Sequence, residues 1–265
     1  MIASFLPTGS ISWLYYSDRL SELPLGVFGV AIATVILPSL SRQHSADSPE
    51  KFNATMDWAL RMILLIAIPA ALALIILAEP ILLTLFYYGD VITARDMSMA
   101  TLSLRAYAVG LLAFMLIKVL APGYFARQDM KTPVRIGVIA LVANMALNIL
   151  LAVPLHIYWG IGHVGLALAT SLSAILNAGM LFLGLRKQAV YTPEQGWRKF
   201  LLMLLFGNVA MCLTLYGLTT SLNDWVNWLW WQRASWMGLI CSIGAAIYLL
   251  LLVLGGFRLS HLKHQ

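Results

Sequence analysis

Seven apolar runs, each long enough to cross a lipid bilayer, leave this chain few ways to fold. They are Ile11–Leu40, Trp58–Phe86, Ala100–Tyr124, Val134–Tyr158, Ile161–Leu185, Phe200–Leu222 and Leu229–Phe257. A bilayer core takes about 20 residues of helix, and every run meets that length. Several exceed it, which leaves room for tilt or for extension into the interface. Transmembrane strands are excluded because the runs are too long and lack period-two alternation. Charge supports the same reading. Only 11% of the 265 residues are charged and 61% are hydrophobic, whereas soluble domains carry about 25% charged residues. The expected fold class is an all-α integral membrane protein.

The basic residues fix a topology. If the turn at Pro7–Ser10 faces outside, then segments 41–57, 125–133, 186–199 and the C-terminus face the cytoplasm. That side carries Arg42, Lys51, Arg61, Arg127, Lys131, Arg135, Arg186, Lys187, Arg198, Lys199, Arg258 and Lys263. The other side carries Arg95, Arg105 and Arg233. Twelve against three is the positive-inside pattern. It accounts for most of the net charge of +6 without a nucleic-acid partner. The tryptophans of "DWVNWLWWQRASW" (Trp225, Trp228, Trp230, Trp231, Trp236) fall at the outer interface and read as an aromatic belt. Upstream, Met1–Leu6 is an apolar stub with no signal peptide. It suggests the end of a further helix in a larger protein, or an internal start.

Two basic residues remain, Arg19 and Lys118, each inside an apolar run. A charge near a helix centre costs roughly 2.5–3.5 kcal/mol on insertion scales, so each needs a partner or a wet cavity. In "SWLYYSDRLSELPLG" a helix places Asp18, Arg19 and Glu22 on one side, with Tyr15 one turn before the arginine. Two readings stand: a closed ion-pair cluster joining helices, or a polar stripe along a substrate pathway with Arg19 offered to an anion. Arginine suits the second role because its planar fork binds phosphate oxygens bidentately. Pro24 removes a backbone donor, and Gly26 and Gly29 follow, so a kink or hinge is expected there. Lys118 repeats the pattern ahead of Pro122–Gly123, although snorkelling to the interface would equally explain it.

The remaining polar residues read as structural. His156 and His163 lie near an outer loop and are expected to be interfacial. Gly165, Ala169 and Ser173 form a small-residue packing ridge, and Asn144 and Asn148 share a face able to bridge helices. Cys212 and Cys241 lie in apolar runs without a partner motif. No nucleophile–base pair, phosphate-cradling glycine loop or metal spacing occurs, so no metal site or cofactor is expected and the chain does not read as an enzyme.

Two segments carry a family resemblance: "YYSDRLSELPLGVFGVAIATVILPSLSR" (Tyr15–Arg42) and "KVLAPGYFARQDMKTPVRIGVIALVANMALNILL" (Lys118–Leu151). Their D-R-L-x-E-x-P-x-G-V-x-G-V-A and A-P-G-Y-F-x-R-x-D-x-K-T-P-V patterns are long and unusual. They closely resemble the MurJ/MviN family, the bacterial lipid II flippases of the MATE-like exporter superfamily. The resemblance extends along the whole chain and corresponds to the C-terminal lobe of a two-lobe transporter, so the N-terminal lobe would be a partner. It implies three parts: a helix end and outer turn at 1–10, a cavity-lining bundle at 11–190, and two C-terminal helices at 191–265 forming a lipid-tail groove.

That family places the arginine of the D-R-L motif in a central cationic cavity facing the substrate's diphosphate. Here this implies Arg19, with Asp18 and Glu22 beside it, and Lys118 as a second cavity cation. The implied activity is movement of polyprenyl-diphosphate-linked peptidoglycan precursor, lipid II, across the bacterial inner membrane by alternating access. The implied C-terminus is cytoplasmic, and membrane lipids are the surroundings. Alternatives are a polysaccharide-lipid or drug exporter of the same superfamily, a membrane enzyme acting on polyprenyl phosphates, or a non-transporting membrane fragment. A drug exporter would favour an acidic cavity, and the enzyme would need acid, histidine and arginine clusters in its loops.

Overall fold

The computed structural model describes residues 6–88, 92–220 and 225–256. The Met1–Leu6 stub except Leu6 itself, and the basic residues Arg258 and Lys263, lie outside the described residues. Among the described residues seven helical spans are long and apolar enough to cross a membrane, and there is no strand. Most spans run further into their polar flanks than the apolar runs do.

The first span is bent chemically where the sequence expects it. Helix α1 (Ser10–Pro24) gives way to a five-residue π-helical turn, Leu25–Gly29, before α2 (Val30–Ser45) resumes. Pro24 cannot donate to the carbonyl one turn back, and the widened turn absorbs the missing bond. A Cβ on Gly26 would meet nothing within 4 Å, whereas one on Gly29 would sit 3.6 Å from Cγ of Lys118. The stem of Lys118 thus lies over the end of the π turn.

Helix α3 (Pro49–Phe86, 38 residues) is the spine. At 1.5 Å per residue it is about 57 Å long, so its ends project beyond a hydrocarbon core of about 30 Å. Proline at its start suits a position whose N–H has no helical acceptor. Helix α4 (Ala94–Phe125) runs back beside it and opens on a reciprocal cap, in which Thr93 and Asp96 satisfy each other's backbone N–H groups. Asp96 also accepts a 2.9 Å bond from the Trp13 indole, which ties α1 to α4.

A second π turn, Asn148–Ala152, separates α5 (Lys131–Leu147) from α6 (Val153–Trp159). Helix α7 (Gly162–Lys187) then packs against both α4 and this turn. The approaches are close enough to require small residues. A Cβ on Gly110 would meet the Ser171 Cα at 2.7 Å, and one on Gly165 would meet the Ala152 Cα at 2.6 Å. Ser171 donates a 2.7 Å bond to the Ala106 carbonyl, and Asn144 donates to Ser173 at 3.3 Å. The small-residue ridge and the asparagine bridge therefore hold α5 and α7 together. His163 departs from expectation. It sits at the start of α7 yet is fully buried, edge-on to Trp13 at 4.8 Å, with Nε2 3.3 Å from the Met99 carbonyl. Its ring is consumed by the α1–α4–α7 junction instead of facing the interface.

Helices α8 (Trp197–Thr220) and α9 (Trp230–Leu254) pack on each other and on α3. The turns at 46–48, 126–130 and 188–196 share one end: Arg127 donates to Gln188 at 2.8 Å, and the Thr192 N–H donates to Asn53 at 2.8 Å. Arg95 and Arg233 mark the other end, with Arg105 on that half of α4. Among the described residues, the basic residues that the sequence assigns to the two faces therefore fall towards opposite ends. The tryptophans split: Trp225, Trp228 and Trp236 stack at 5.1 and 6.2 Å, while Trp230 and Trp231 point outward.

Candidate functional site

Three arginines in this apolar scaffold show what each charge is for. Arg19, on α1, is 62% exposed. Its Nη1 lies 3.4 Å from Glu22 Oε2, at the edge of hydrogen bonding, and its guanidinium stands 5.2 Å over the Tyr15 ring. Both partners belong to its own helix. Glu22 is itself 53% exposed, and Asp18 is exposed on the same face. The structure thus brings Arg19, Glu22 and Tyr15 together on one helix. Lys118 projects from α4 and is exposed, with its stem against Gly29. Leu23, Val27 and Phe28, which follow Glu22 on the first span, are exposed as well. A closed ion-pair cluster between helices is not what forms here.

Arg61 is the opposite case. It makes a 2.7 Å ion pair with Asp57, whose side chain is 3% exposed. Asp57 also accepts from the Tyr191 hydroxyl at 2.7 Å, the Trp197 indole at 2.7 Å and the Glu194 N–H at 3.2 Å. Arg61 donates onward to the Gln195 carbonyl at 3.1 Å and stacks 5.2 Å over Trp197. One carboxylate therefore pins the whole 188–196 turn, and with it the start of α8, to α3. Burial and the bond to Asp57 push the Tyr191 phenol well above its ordinary range. Arg233, on α9, is 5% exposed. It donates to the carbonyls of Leu83, Tyr87 and Val226 at 3.0, 3.0 and 2.8 Å. Those of Leu83 and Tyr87 close the end of α3, where helical carbonyls lack partners and carry negative charge. Between the two arginines, the Tyr248 hydroxyl donates to the Leu65 carbonyl at 2.7 Å.

Sequence reasoning placed Arg61 and Arg233 only as topology markers and did not find Asp57. The four-residue Asp57–Arg61 spacing was the available signal. Tyr191 and Trp197 lie far along the chain, and no local pattern announces them.

The comparisons with known proteins point one way. The family described as "Lipid II flippase MurJ" matches residues 1–231. The chain belongs to the MurJ family. A "Probable lipid II flippase MurJ" of Vibrio cholerae is 50% identical over 264 residues, covering 99% of this chain and 49% of the relative. A "Lipid II flippase MurJ" of Burkholderia cenocepacia is 39% identical over 269 residues, covering 100% of this chain and 50% of the relative. A solved "Lipid II flippase MurJ, inward closed conformation" superposes with a TM-score of 0.70 at 28% identity, covering 94% of this chain and 48% of that one. The chain spans about half the length of the curated relatives it matches. It is a multi-pass membrane protein of bacterial inner-membrane type.

The MurJ-like motifs acquire physical roles. In D-R-L-S-E-L-P-L-G, Leu20 is buried in the core, Pro24 immediately precedes the π turn, and the charged residues stay outside. In A-P-G-Y-F-A-R-Q-D-M-K-T-P, the Tyr124 hydroxyl donates to the Leu181 carbonyl at 2.8 Å and Gly123 lies against Met56 and Leu185. Asp129 accepts the Thr132 N–H at 3.0 Å, which opens α5, and hydrogen bonding by the Thr132 side chain and then its backbone holds the carboxyl below its ordinary value. That second motif builds a turn, and Lys118 lies just before it, exposed.

Proposed function

We propose that this chain supplies one lobe of a lipid II flippase, with Arg19 on the wall of the substrate pathway. One observation carries the reading: Arg19, the arginine of the D-R-L motif, lies within a membrane span, and its partners among the described residues are on its own helix. Arg61 and Arg233 are instead engaged by partners from other parts of the fold, Asp57 with the 188–196 turn and the carbonyls at the end of α3. Arg19 meets the diphosphate, and Lys118 adds a second positive charge beyond the π turn. Glu22, Asp18 and Tyr15 hold the guanidinium in place between substrates.

The lobe facing this surface is the part of the family's length that the chain does not span. The two lobes alternate access about the cavity while Pro24, Gly26 and Gly29 allow the first span to flex. The polyprenyl tail stays in the lipid, and an apolar cleft of about 420 Å³ between α3 and α8 is consistent with a tail-binding C-terminal pair. No bond in the substrate is made or broken, so the protein is a transporter and not a catalyst. The basic end faces the cytoplasm, which puts the C-terminus there.

Rescue of bacteria depleted of their lipid II flippase tests this. This chain joined to a matching first lobe should restore growth, and the same protein carrying Arg19→Ala should not. Equal rescue by the alanine form would remove Arg19 from the pathway. Rescue by this chain alone would overturn the one-lobe reading.

A further inference from the structure

The second half of α3 carries a charged feature that the flippase reading does not use. Glu79 lies on a membrane-spanning helix, is exposed, and among the described residues makes no hydrogen bond or ion pair. A carboxylate so placed is costly unless it meets water or a cationic ligand. It lines a pocket of about 570 Å³ together with Arg105, Tyr216, Thr219, Trp225 and Val226. Arg105 uses Nε to reach the Ile75 carbonyl at 3.1 Å. Its other guanidinium nitrogens form no bond among the described residues. Trp225 is buried, and its indole N–H also lacks a partner. The pocket thus presents one acceptor carboxylate and two sets of unused donors, and Glu79 and Arg105 do not close on each other as an ion pair.

The depth of the pocket suits a lipid headgroup. Glu79 lies seven residues before Phe86, the last of α3, about 10 Å along the axis. Because α3 overruns the hydrocarbon core, this is the boundary between headgroups and acyl chains. The neighbouring tryptophans belong to the same layer.

We propose that this pocket binds the headgroup of phosphatidylethanolamine. The ammonium donates to Glu79, and the phosphate accepts from Arg105 and the Trp225 indole. Charge complementarity selects this lipid. Phosphatidylglycerol would leave the carboxylate unpartnered beside an anion, and phosphatidylcholine has no N–H to donate. The inference rests on the span assignment and does not depend on the flippase reading.

Native mass spectrometry of the purified chain with matched-tail phosphatidylethanolamine, phosphatidylcholine and phosphatidylglycerol tests it. The unaltered protein should retain phosphatidylethanolamine about tenfold better than phosphatidylcholine, the scale of one charge-assisted hydrogen bond. Glu79→Gln should bring that ratio to near one, and Arg105→Gln should weaken retention of both. A series using only the unaltered protein guards against misfolded variants. Successive N-methylation of the ethanolamine should lower retention step by step. A flat response to methylation, a preference that survives Glu79→Gln, or stronger retention of phosphatidylglycerol would each overturn the proposal.

Discussion

Arg19 and Arg233 both stand on membrane-spanning helices, but the protein treats them in opposite ways. Arg233 is buried and donates to three backbone carbonyls, two of them at the end of α3, so its charge is spent on holding α9 to the spine. Arg61 is spent likewise on Asp57 and the 188–196 turn. Arg19 is 62% exposed and touches only Tyr15 and Glu22, which move with it. Both arrangements lower the cost of a charge in an apolar scaffold. Only the second leaves the charge able to exchange its partner. The difference separates a cation that builds the fold from one that waits for a ligand, and it can be tested by removing each in turn.

The largest loss of stability should come from Asp57→Ala. It strands the Arg61 guanidinium, the Tyr191 hydroxyl and the Trp197 indole together, and breaking a buried pair from one side costs roughly 3–5 kcal/mol. Thermal unfolding of the chain in detergent should show a drop of many degrees, with the α8–α9 pair loosening first under limited proteolysis. An unchanged midpoint would mean that α8 docks by apolar packing alone. Arg233→Ala should follow at about 2–3 kcal/mol, since it orphans carbonyls at the end of α3. Arg233→Lys should recover only part, because a single ammonium cannot span the same three acceptors.

What could be read in advance follows from which interactions are local. The seven spans were legible because apolar length is a property of contiguous residues, and Pro24 announced the disruption that the π turn at Leu25–Gly29 realises. Helix ends were underestimated at 49–57 and 94–99, where capping by Pro49 and by Thr93 with Asp96 continues the helix past the apolar stretch. Arg19, Glu22 and Tyr15 lie within eight residues of sequence, so their grouping could be read directly. Asp57 could not, because the residues it binds at 191–197 reach it only through the fold of α7. His163 was misplaced for the same reason: its position beside a loop is local, and its burial against Trp13 is not.

A smaller effect is expected at the α4–α5 turn. Asp129→Ala removes the acceptor for the Thr132 N–H and should cost about 1 kcal/mol at neutral pH. Because the folded protein holds this carboxyl below its ordinary value, the contribution is complete above the unfolded value near 4 and fades as pH falls through the lower folded value. Unfolding midpoints of the unaltered and Asp129→Ala proteins should therefore converge on acidification. A gap that persists at pH 2 would assign the effect to loop geometry instead of charge.

The smallest change in stability should come from Arg19→Ala. An exposed ion pair within one helix adds little to stability, and removing the guanidinium leaves no buried partner behind. The unfolding midpoint should stay within about a degree of the unaltered protein, while rescue of flippase-depleted bacteria by the joined two-lobe protein is lost. Arg19→Lys keeps the charge but not the planar fork and should rescue weakly. This pairing of a negligible stability cost with a complete functional loss is the reverse of what Asp57→Ala and Arg233→Ala should show. If Arg19→Ala instead lowers the midpoint as Arg233→Ala does, the arginine is structural, its exposed position misleads, and the pathway must run past Lys118 without it.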